Sequence, residues 1–136
     1  MGSKTKGSRT ERELVHLFNQ TGNWAAIRIA GSGLTKDPNP DVLAGNKKRY
    51  LAVECKSIKG VSKYLYPEDI KQIEDFASKF GAEAWIGIRF NNKGWYFLKT
   101  EDLNKTKSSN LVINLELAEE KGLKFEDLIK EGDTNG

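Results

Sequence analysis

Apolar residues recur at helical spacing in two segments of this chain, and each segment predicts an amphipathic helix. The first helix is predicted over residues 10–20, with Gly22 as its stop signal. Its apolar stripe consists of Leu14, Val15, Leu17 and Phe18. The second helix is predicted to begin near Pro67, which suits a first-turn position, and to end at Gly81. Its apolar stripe consists of Ile70, Ile73, Phe76, Ala77 and Phe80.

Runs that alternate between apolar and polar residues, or that are rich in β-branched and aromatic residues, predict the strands. Five strands are predicted, at residues 24–30, 41–44, 50–57, 84–90 and 95–99. Other predicted segments are a short strand at 111–115, short helices at 116–120 and 125–130, and a link at 61–66. The order of elements predicts an α/β fold, in which a mixed β-sheet of about five strands is flanked by helices.

These elements fit one domain over residues 9–130, because 136 residues suffice for a single hydrophobic core. We expect residues 1–8 to form a flexible basic arm and residues 131–136 to be disordered. Residues 31–40 contain two glycines and two prolines, and they are expected to form a mobile loop between two strands.

Composition limits the chemistry that this chain can carry out. Its one cysteine and one histidine exclude an intramolecular disulfide framework and, by themselves, a zinc site. No apolar run approaches the roughly 20 residues that span a bilayer, so no membrane partner is expected. A single cysteine suits a reducing cytosol, and we expect a cytoplasmic location. Carboxylates that bind a hard divalent cation remain as the expected chemistry.

Charge is distributed unevenly between the two halves of the chain. Residues 1–63 contain twelve lysines and arginines against five acidic residues, whereas residues 64–136 contain ten against fourteen. A positive field in one half suits a polyanionic substrate such as nucleic acid. Scattered lysines can also be ordinary solubilising charge. The excess lies in the half that carries the acidic motif described next, which favours the functional interpretation.

Candidate catalytic residues occur in a predicted hairpin whose turn is centred between Lys47 and Lys48. Such a turn places Asp41 opposite Glu54, and facing residues of an antiparallel pair have Cβ atoms about 4.5–5.5 Å apart. Lys56 lies two residues after Glu54 and therefore shares its face of the strand. Two carboxylates and an ammonium suit metal-assisted cleavage of a phosphodiester, because the acids hold the cation and the lysine supplies charge beside the nucleophile.

The same three residues have a second interpretation, because a Pro-Asp followed by Glu-x-Lys often occurs by chance. They would then be only the solvated face of a hairpin. However, like charges directly opposite each other destabilise a sheet unless something compensates them. A bound cation is the natural compensation, which favours a site.

The assembled motifs resemble those of the restriction-endonuclease-like nucleases, whose core motif is Pro-Asp followed by Glu-x-Lys. More closely, they resemble the archaeal Holliday junction resolvases, and the likeness covers about residues 6–99 in collinear order. The segments that carry it are residues 7–15, 28–33, 40–46 and 50–56. The resemblance implies a restriction-endonuclease-like fold and a junction-cutting activity.

The resemblance also implies a catalytic set of five residues, Glu11, Ser32, Asp41, Glu54 and Lys56. The metal ligands would be Glu11, Asp41, Glu54 and the backbone carbonyl of Cys55. Glu13 is the neighbouring alternative to Glu11, but two positions along a helix it is expected to point elsewhere. Lys56 would orient the attacking water or stabilise the transition state. Ser32 matches a serine with a catalytic role in the family, and an ordinary loop serine is the alternative.

By the same resemblance, a set of basic residues would hold the DNA backbone: Lys6, Arg9, Arg12, Arg28 and Lys59. The cofactor would be Mg²⁺, with Mn²⁺ as a substitute. A homodimer would grip a four-way junction and nick two strands symmetrically, in recombination and repair on the archaeal nucleoid. A sliding clamp or branch-migration helicase is a further candidate partner. Two alternatives stay open: a junction- or duplex-binding module that does not cut, and a nuclease of this fold that acts on flap or linear duplex DNA.

Overall fold

The computed structural model describes residues 2–29, 39–103 and 111–130, with side chains from Arg9 onward in the first segment. These segments contain four α-helices and seven strands, and a 3₁₀ turn at Thr100–Asp102 follows the sixth strand. In chain order the elements are α1 (Gly2–Gln20), β1 (Ala25–Arg28), β2 (Val42–Gly45), β3 (Tyr50–Ile58), β4 (Ser62–Leu65), α2 (Pro67–Phe80), β5 (Glu83–Phe90), β6 (Gly94–Lys99), β7 (Leu111–Asn114), α3 (Leu115–Lys121) and α4 (Phe125–Lys130).

The central sheet has five strands in the order β1-β2-β3-β5-β6. At its centre β3 and β5 run parallel, and the other neighbouring pairs are antiparallel. A parallel pair needs a crossover connection, which β4 and α2 supply. The predicted α/β fold, with a mixed sheet of about five strands flanked by helices, is confirmed.

Each face of the central sheet buries a separate core. Under α1 and α4 the core includes Leu14, Phe18, Leu51, Val53, Trp85, Phe97 and Leu128. Under α2 and α3 it includes Ala52, Ile58, Ile70, Ile73, Ile86, Ile88 and Ala118. Successive residues of β3 point to opposite faces, so its first half is buried on both sides. Only from Glu54 onward does β3 carry polar side chains, and this is where the candidate site lies.

The first helix is longer than predicted. It begins at Gly2 rather than at residue 10, and it runs through the segment that we expected to be a flexible arm. Residues 2–8 contain no proline, and each residue added to an existing helix gains a hydrogen bond without repeating the cost of nucleation. The apolar stripe begins only at Leu14, so periodicity could not indicate the earlier turns.

No helix among the described residues is long and apolar enough to cross a membrane.

The predicted link at 61–66 is the second difference, because it contains β4. This strand pairs antiparallel with β7 in a separate two-stranded sheet, with Leu65 opposite Leu111. Leu65 is buried, whereas the other three residues of β4 are exposed. One buried position gives no alternation from which a strand could be predicted. In contrast, α2 begins at Pro67 and ends before Gly81, which has φ 88°, as predicted.

Candidate active site

The β2–β3 hairpin sets the position of the two predicted acids. Val42 is paired with Val53, which is the register predicted from the turn. The next residues outward on the two strands are Asp41 and Glu54. The regular pairing ends at Val42 and Val53, and the backbone N–H of Asp41 donates to the Val53 carbonyl at 3.0 Å, so Asp41 still lies against β3. The predicted register is therefore confirmed for the paired residues of the hairpin, and the two acids lie just beyond its last pair, close enough for the charge of Asp41 to raise the pKa of Glu54.

The Asp41 side chain is fixed by the backbone of β3. Its Oδ2 accepts a hydrogen bond of 2.8 Å from the N–H of Cys55. Burial raises the pKa of Asp41; the hydrogen bond from Cys55 and the charges of Lys56 and Arg28 lower it without reversing the shift. A buried carboxylate held on one oxygen still presents its other oxygen to a ligand.

Glu54 and Lys56 lie on the same face of β3, as the two-residue spacing predicted. Their Oε2 and Nζ atoms are 3.6 Å apart, and the side chains are 20% and 23% exposed. Burial and then the charge of Asp41 raise the pKa of Glu54 to about 7, and the ammonium of Lys56 opposes this rise. Asp69, in the first turn of α2, also raises the pKa of Glu54. The local negative charge therefore exceeds what one lysine neutralises.

Glu11 joins this cluster from the opposite layer, on α1. Its Oε1 accepts a hydrogen bond of 3.3 Å from Nη1 of Arg28 at the end of β1. Burial and then the charge of Asp41 raise the pKa of Glu11, while Arg28 lowers it. Glu11 is therefore close enough to Asp41 for their charges to interact, as the resemblance implied.

Cys55 lies between Glu54 and Lys56 on β3, but its side chain points to the face covered by α1. Burial, and then the surrounding carboxylates, raise the pKa of its thiol well above the ordinary value. A thiol that stays protonated is a poor metal ligand. The backbone of Cys55 therefore remains its only useful contribution here: the N–H holds Asp41, and the carbonyl is the predicted ligand.

The chemistry of these donors fits a hard divalent cation. Glu11, Asp41 and Glu54 offer carboxylate oxygens, and each has a raised pKa to which neighbouring negative charge or burial contributes. Among the residues that the structure describes, however, no three such side chains are spaced to hold a metal ion as they stand. Glu11, Asp41 and Glu54 would hold such a cation, and its charge would offset the repulsion between the carboxylates.

The remaining predicted residues are Ser32 and the basic residues expected to hold DNA. Ser32 falls outside the described residues. Lys6 belongs to α1, but its side chain lies outside the described part. Arg12 is exposed on α1, whereas Arg28 is partly buried against Glu11. The proposed contacts of these residues with DNA stay predictions.

Arg9 and Lys59 are also exposed, and both line one cavity of about 220 Å³. Arg89 of β5 lines the same cavity and was missed by the sequence analysis. The available signal was a single arginine in a strand that is otherwise apolar after its first residue. Glu13 contacts Arg89 rather than the acid cluster, so it does point elsewhere, as expected.

Comparison with known proteins identifies the family of this chain. The sequence profile of the family described as archaeal Holliday junction resolvase (Hjc) matches residues 2–135. The crossover junction endodeoxyribonuclease Hjc of Archaeoglobus fulgidus is 38% identical over 130 residues, which cover 91% of this chain and 95% of that protein. The protein of the same name from Sulfolobus acidocaldarius is 36% identical over 132 residues, which cover 96% and 90%.

The solved structure of A. fulgidus Hjc, a Holliday junction resolvase from an archaeal hyperthermophile, superposes with a TM-score of 0.80. The match has 34% identity and covers 90% of this chain and 94% of that chain. Sequence and fold therefore agree over nearly the whole length of both proteins. This chain belongs to the archaeal Holliday junction resolvase family, which its motifs resemble.

Proposed function

We propose that this chain is a structure-selective endodeoxyribonuclease that cuts four-way DNA junctions by hydrolysis of a phosphodiester in each of two strands. One observation carries the proposal. Two acids and a lysine lie close together at the open end of the β2–β3 hairpin: Asp41, Glu54 and Lys56. The relatives described above are named crossover junction endodeoxyribonucleases, which supports the same reaction.

The proposed cofactor is Mg²⁺, with Mn²⁺ as a substitute. Asp41 and Glu54 would hold it, with Glu11 and the carbonyl of Cys55 as further ligands. When bound, such a cation polarises a phosphate oxygen and lowers the pKa of a bound water. Excess negative charge around Glu54 supports this assignment, because a carboxylate with a pKa of about 7 gains from a nearby cation.

The chain's own residues would then position and stabilise the reacting groups. Lys56 lies beside Glu54, so its ammonium is placed to hold the attacking water or the negative charge that develops on the phosphate. Arg28 holds Glu11 in the cluster through its guanidinium. The N–H of Cys55 fixes Asp41 on β3, a rigid strand, which keeps the acid in place before the substrate arrives. Products would carry a 5′-phosphate and a 3′-hydroxyl.

A homodimer follows from the proposed task, because two symmetric nicks need two sites related by a twofold axis. An exposed apolar surface supports it: Ile27, Tyr50 and Phe80 are all exposed and line one shallow apolar pocket of about 260 Å³. Phe80 also stacks on Phe76, with ring centroids 5.3 Å apart. Exposed apolar patches of this kind often mark interfaces.

One experiment tests the cutting activity against both alternatives. The protein is incubated with a labelled four-way junction, a flap and a linear duplex, each with and without Mg²⁺. Paired symmetric nicks confined to the junction, and only with the metal, are the expected result. Tight junction binding without cleavage at any metal concentration would contradict the proposal and favour a non-cutting module. Cleavage mainly of the flap or duplex would favour a nuclease with another substrate.

A single substitution separates chemistry from binding. Glu54→Ala is expected to abolish cleavage and to retain junction binding, since Glu54 is proposed to hold the cation rather than the DNA backbone. Gel-shift titration in EDTA and a cleavage assay with Mg²⁺ measure the two properties on the same preparation. Equal loss of both would mean that Glu54 is structural.

The dimer is tested by the Phe80→Glu substitution, which places a charge in the apolar surface. The wild-type protein is expected to have the mass of two chains in light scattering, and the variant the mass of one. Lys71→Glu, on the exposed side of the same helix, is the matched control and should stay dimeric. A wild-type protein that is monomeric at micromolar concentration would overturn this part of the proposal.

A further inference from the structure

The cavity of about 220 Å³ lies between α1 and the carboxyl-terminal ends of β3 and β5. Three cationic side chains line it: Arg9 of α1, Lys59 directly after β3, and Arg89 of β5. Ser57 and Asn91 add neutral polar groups that can donate hydrogen bonds. Glu13 supplies the acidic side chain in the lining, so the charge is positive by two units. Such a site suits an anion.

The carboxylate of Glu13, in the cavity lining, already accepts hydrogen bonds from two side chains. Its Oε1 accepts hydrogen bonds from Nε of Arg89 at 2.5 Å and from Nε1 of Trp95 at 2.6 Å. Trp95 is buried, so it anchors Glu13, and Glu13 in turn holds the Arg89 side chain. The bond to Glu13 uses one of the five N–H donors of a guanidinium. Arg89 is therefore held in place while its charge faces an anion-sized space.

The short separation along β3 would allow the cavity and the acid cluster to contact the same DNA strand. Ser57 follows Cys55, whose N–H holds Asp41, by two positions on β3. Two residues of a strand span about 6.6 Å, and phosphates of one DNA strand rise by about 3.4 Å per nucleotide along the helix axis. A phosphate in the cavity would therefore lie one or two nucleotides from the phosphate at the acids.

We propose that this cavity binds a non-scissile backbone phosphate of the cleaved strand, one or two nucleotides from the cut. Arg89, Arg9 and Lys59 contact it, and Glu13 is the positioning residue for Arg89. The proposal rests on the proposed function, because it assigns a second contact to the same DNA strand. Its consequence is that the strand enters the acid cluster in one register.

The test neutralises single phosphates of a four-way junction by methylphosphonate substitution, which removes one negative charge at a chosen linkage. Binding is measured in Ca²⁺ or EDTA by fluorescence anisotropy. For the wild-type protein, a neutral linkage one or two nucleotides from the cut is expected to weaken binding by about tenfold. For Arg89→Gln, neutralising the same linkage should weaken binding little further, because the arginine charge that pairs with this phosphate is already missing.

Further variants keep the result interpretable. Lys59 is exposed and takes no part in the contacts of Glu13 with Arg89 and Trp95, so Lys59→Gln should lose part of the linkage-specific penalty without altering the fold. Glu13→Gln should also reduce that penalty, which a merely structural role would leave unchanged. Lys121→Gln, exposed on α3, is the charge-matched control and should behave as wild type. The slope of log Kd against log salt should fall by about 0.9 in Arg89→Gln.

Different results would contradict the proposed cutting function and the proposed phosphate contact. A wild-type protein that neither binds nor cuts the junction contradicts the proposed function itself. If wild type cuts the junction, but the neutral linkages weaken wild type and Arg89→Gln equally, the phosphate contact is overturned and the cutting activity stands. Thermal unfolding of each variant identifies any that fails to fold, and Lys59→Gln then decides the outcome alone.

Discussion

Two ion pairs involve residues at the start of β3 and farther along it. Each joins a carboxylate to a basic side chain, but the pKa of the carboxylate is lowered in one pair and raised in the other. At the start of β3, the guanidinium of Arg49 contacts both carboxylate oxygens of Glu83 at 2.8 Å. The pKa of Glu83 is lowered, because the hydrogen bonds and charge of its partners outweigh burial. Toward its other end, Lys56 lies 3.6 Å from Glu54, and the pKa of Glu54 is raised to about 7.

The difference arises from the neighbours of each carboxylate. Glu83 also accepts a hydrogen bond of 3.0 Å from Nε1 of Trp85, so its oxygens are well satisfied. Glu54 instead has other acids nearby, Asp41 and Asp69. A carboxylate whose partners complete its hydrogen bonds stabilises the fold, whereas one left with excess negative charge suits a cation. The comparison thus separates a structural end of the strand from a chemical one.

The largest expected effect is at the chemical end. Asp41→Asn removes a charge from the acid cluster and keeps the shape of the side chain, so cleavage of a four-way junction should fall by about 10²–10³-fold or more. Single-turnover cleavage with Mg²⁺ measures the loss.

The matched control is Glu83→Gln, which makes the same kind of change at the structural end. Its cleavage rate per folded molecule should stay within about twofold of wild type, as its carboxylate is remote from the chemistry. Similar losses in both variants would erase the distinction between the two ends.

The free energy of unfolding should instead be most sensitive to substitutions at the structural end of β3. Arg49→Ala breaks the paired hydrogen bonds to Glu83 and the 2.7 Å bond to the Leu128 carbonyl that ties α4 to the sheet. Arg49 is only 10% exposed, but Glu83 is 39% exposed, so the expected loss in unfolding free energy is about 2 kcal/mol, reduced from that of a fully buried pair. Urea denaturation measures it. A loss as small as that of Lys79→Ala, an exposed helix pair, would contradict the assigned role.

The sharpest test of the comparison is a pH dependence without metal. Because the folded pKa of Glu54 lies above its ordinary value, the folded state binds the proton more tightly than the unfolded state between pH about 4.5 and 7. Stability in EDTA should therefore fall as the pH rises through this window, by on the order of 1–3 kcal/mol.

The Glu54→Gln variant should lose this part of the pH dependence and be more stable than wild type near pH 8 in EDTA. Chemical denaturation at a series of pH values measures it, with Glu83→Gln as the comparison. The lowered pKa of Glu83 gives the opposite sign: its contribution is present above its unfolded pKa and is lost as the pH falls through the folded one. Identical pH profiles for wild type and Glu54→Gln would mean that burial does not perturb Glu54.

Local patterns were sufficient to predict the hairpin and its acids. Residue pairing across a short turn depends only on the turn and the alternation of side chains, so Asp41 and Glu54 could be placed from the sequence. The helix from Pro67 to Gly81 was equally accessible, because its start, stripe and stop are all local signals.

Contacts between distant segments were not accessible in the same way. β4 becomes a strand only through its pairing with β7, and Glu13 meets Arg89 and Trp95 only once α1 packs on the sheet. The influence of Asp69 on Glu54 likewise depends on where α2 begins in space. None of these pairs leaves a periodic signal in the sequence, so a structure is needed to find them.

The number of residues in the turn between β2 and β3 sets the register of the hairpin, and this register determines how close the two acids lie. Substitutions within that turn leave the pairing of Val42 with Val53 intact, provided that Lys47 can keep its positive φ of 84°. An inserted or deleted residue instead shifts Asp41 along β3 and turns one strand's side chains to the wrong face. It also takes the N–H of Cys55 out of reach of Asp41. During divergence this turn can therefore change residues other than Arg49, which holds Glu83 and the Leu128 carbonyl, but not its number of residues.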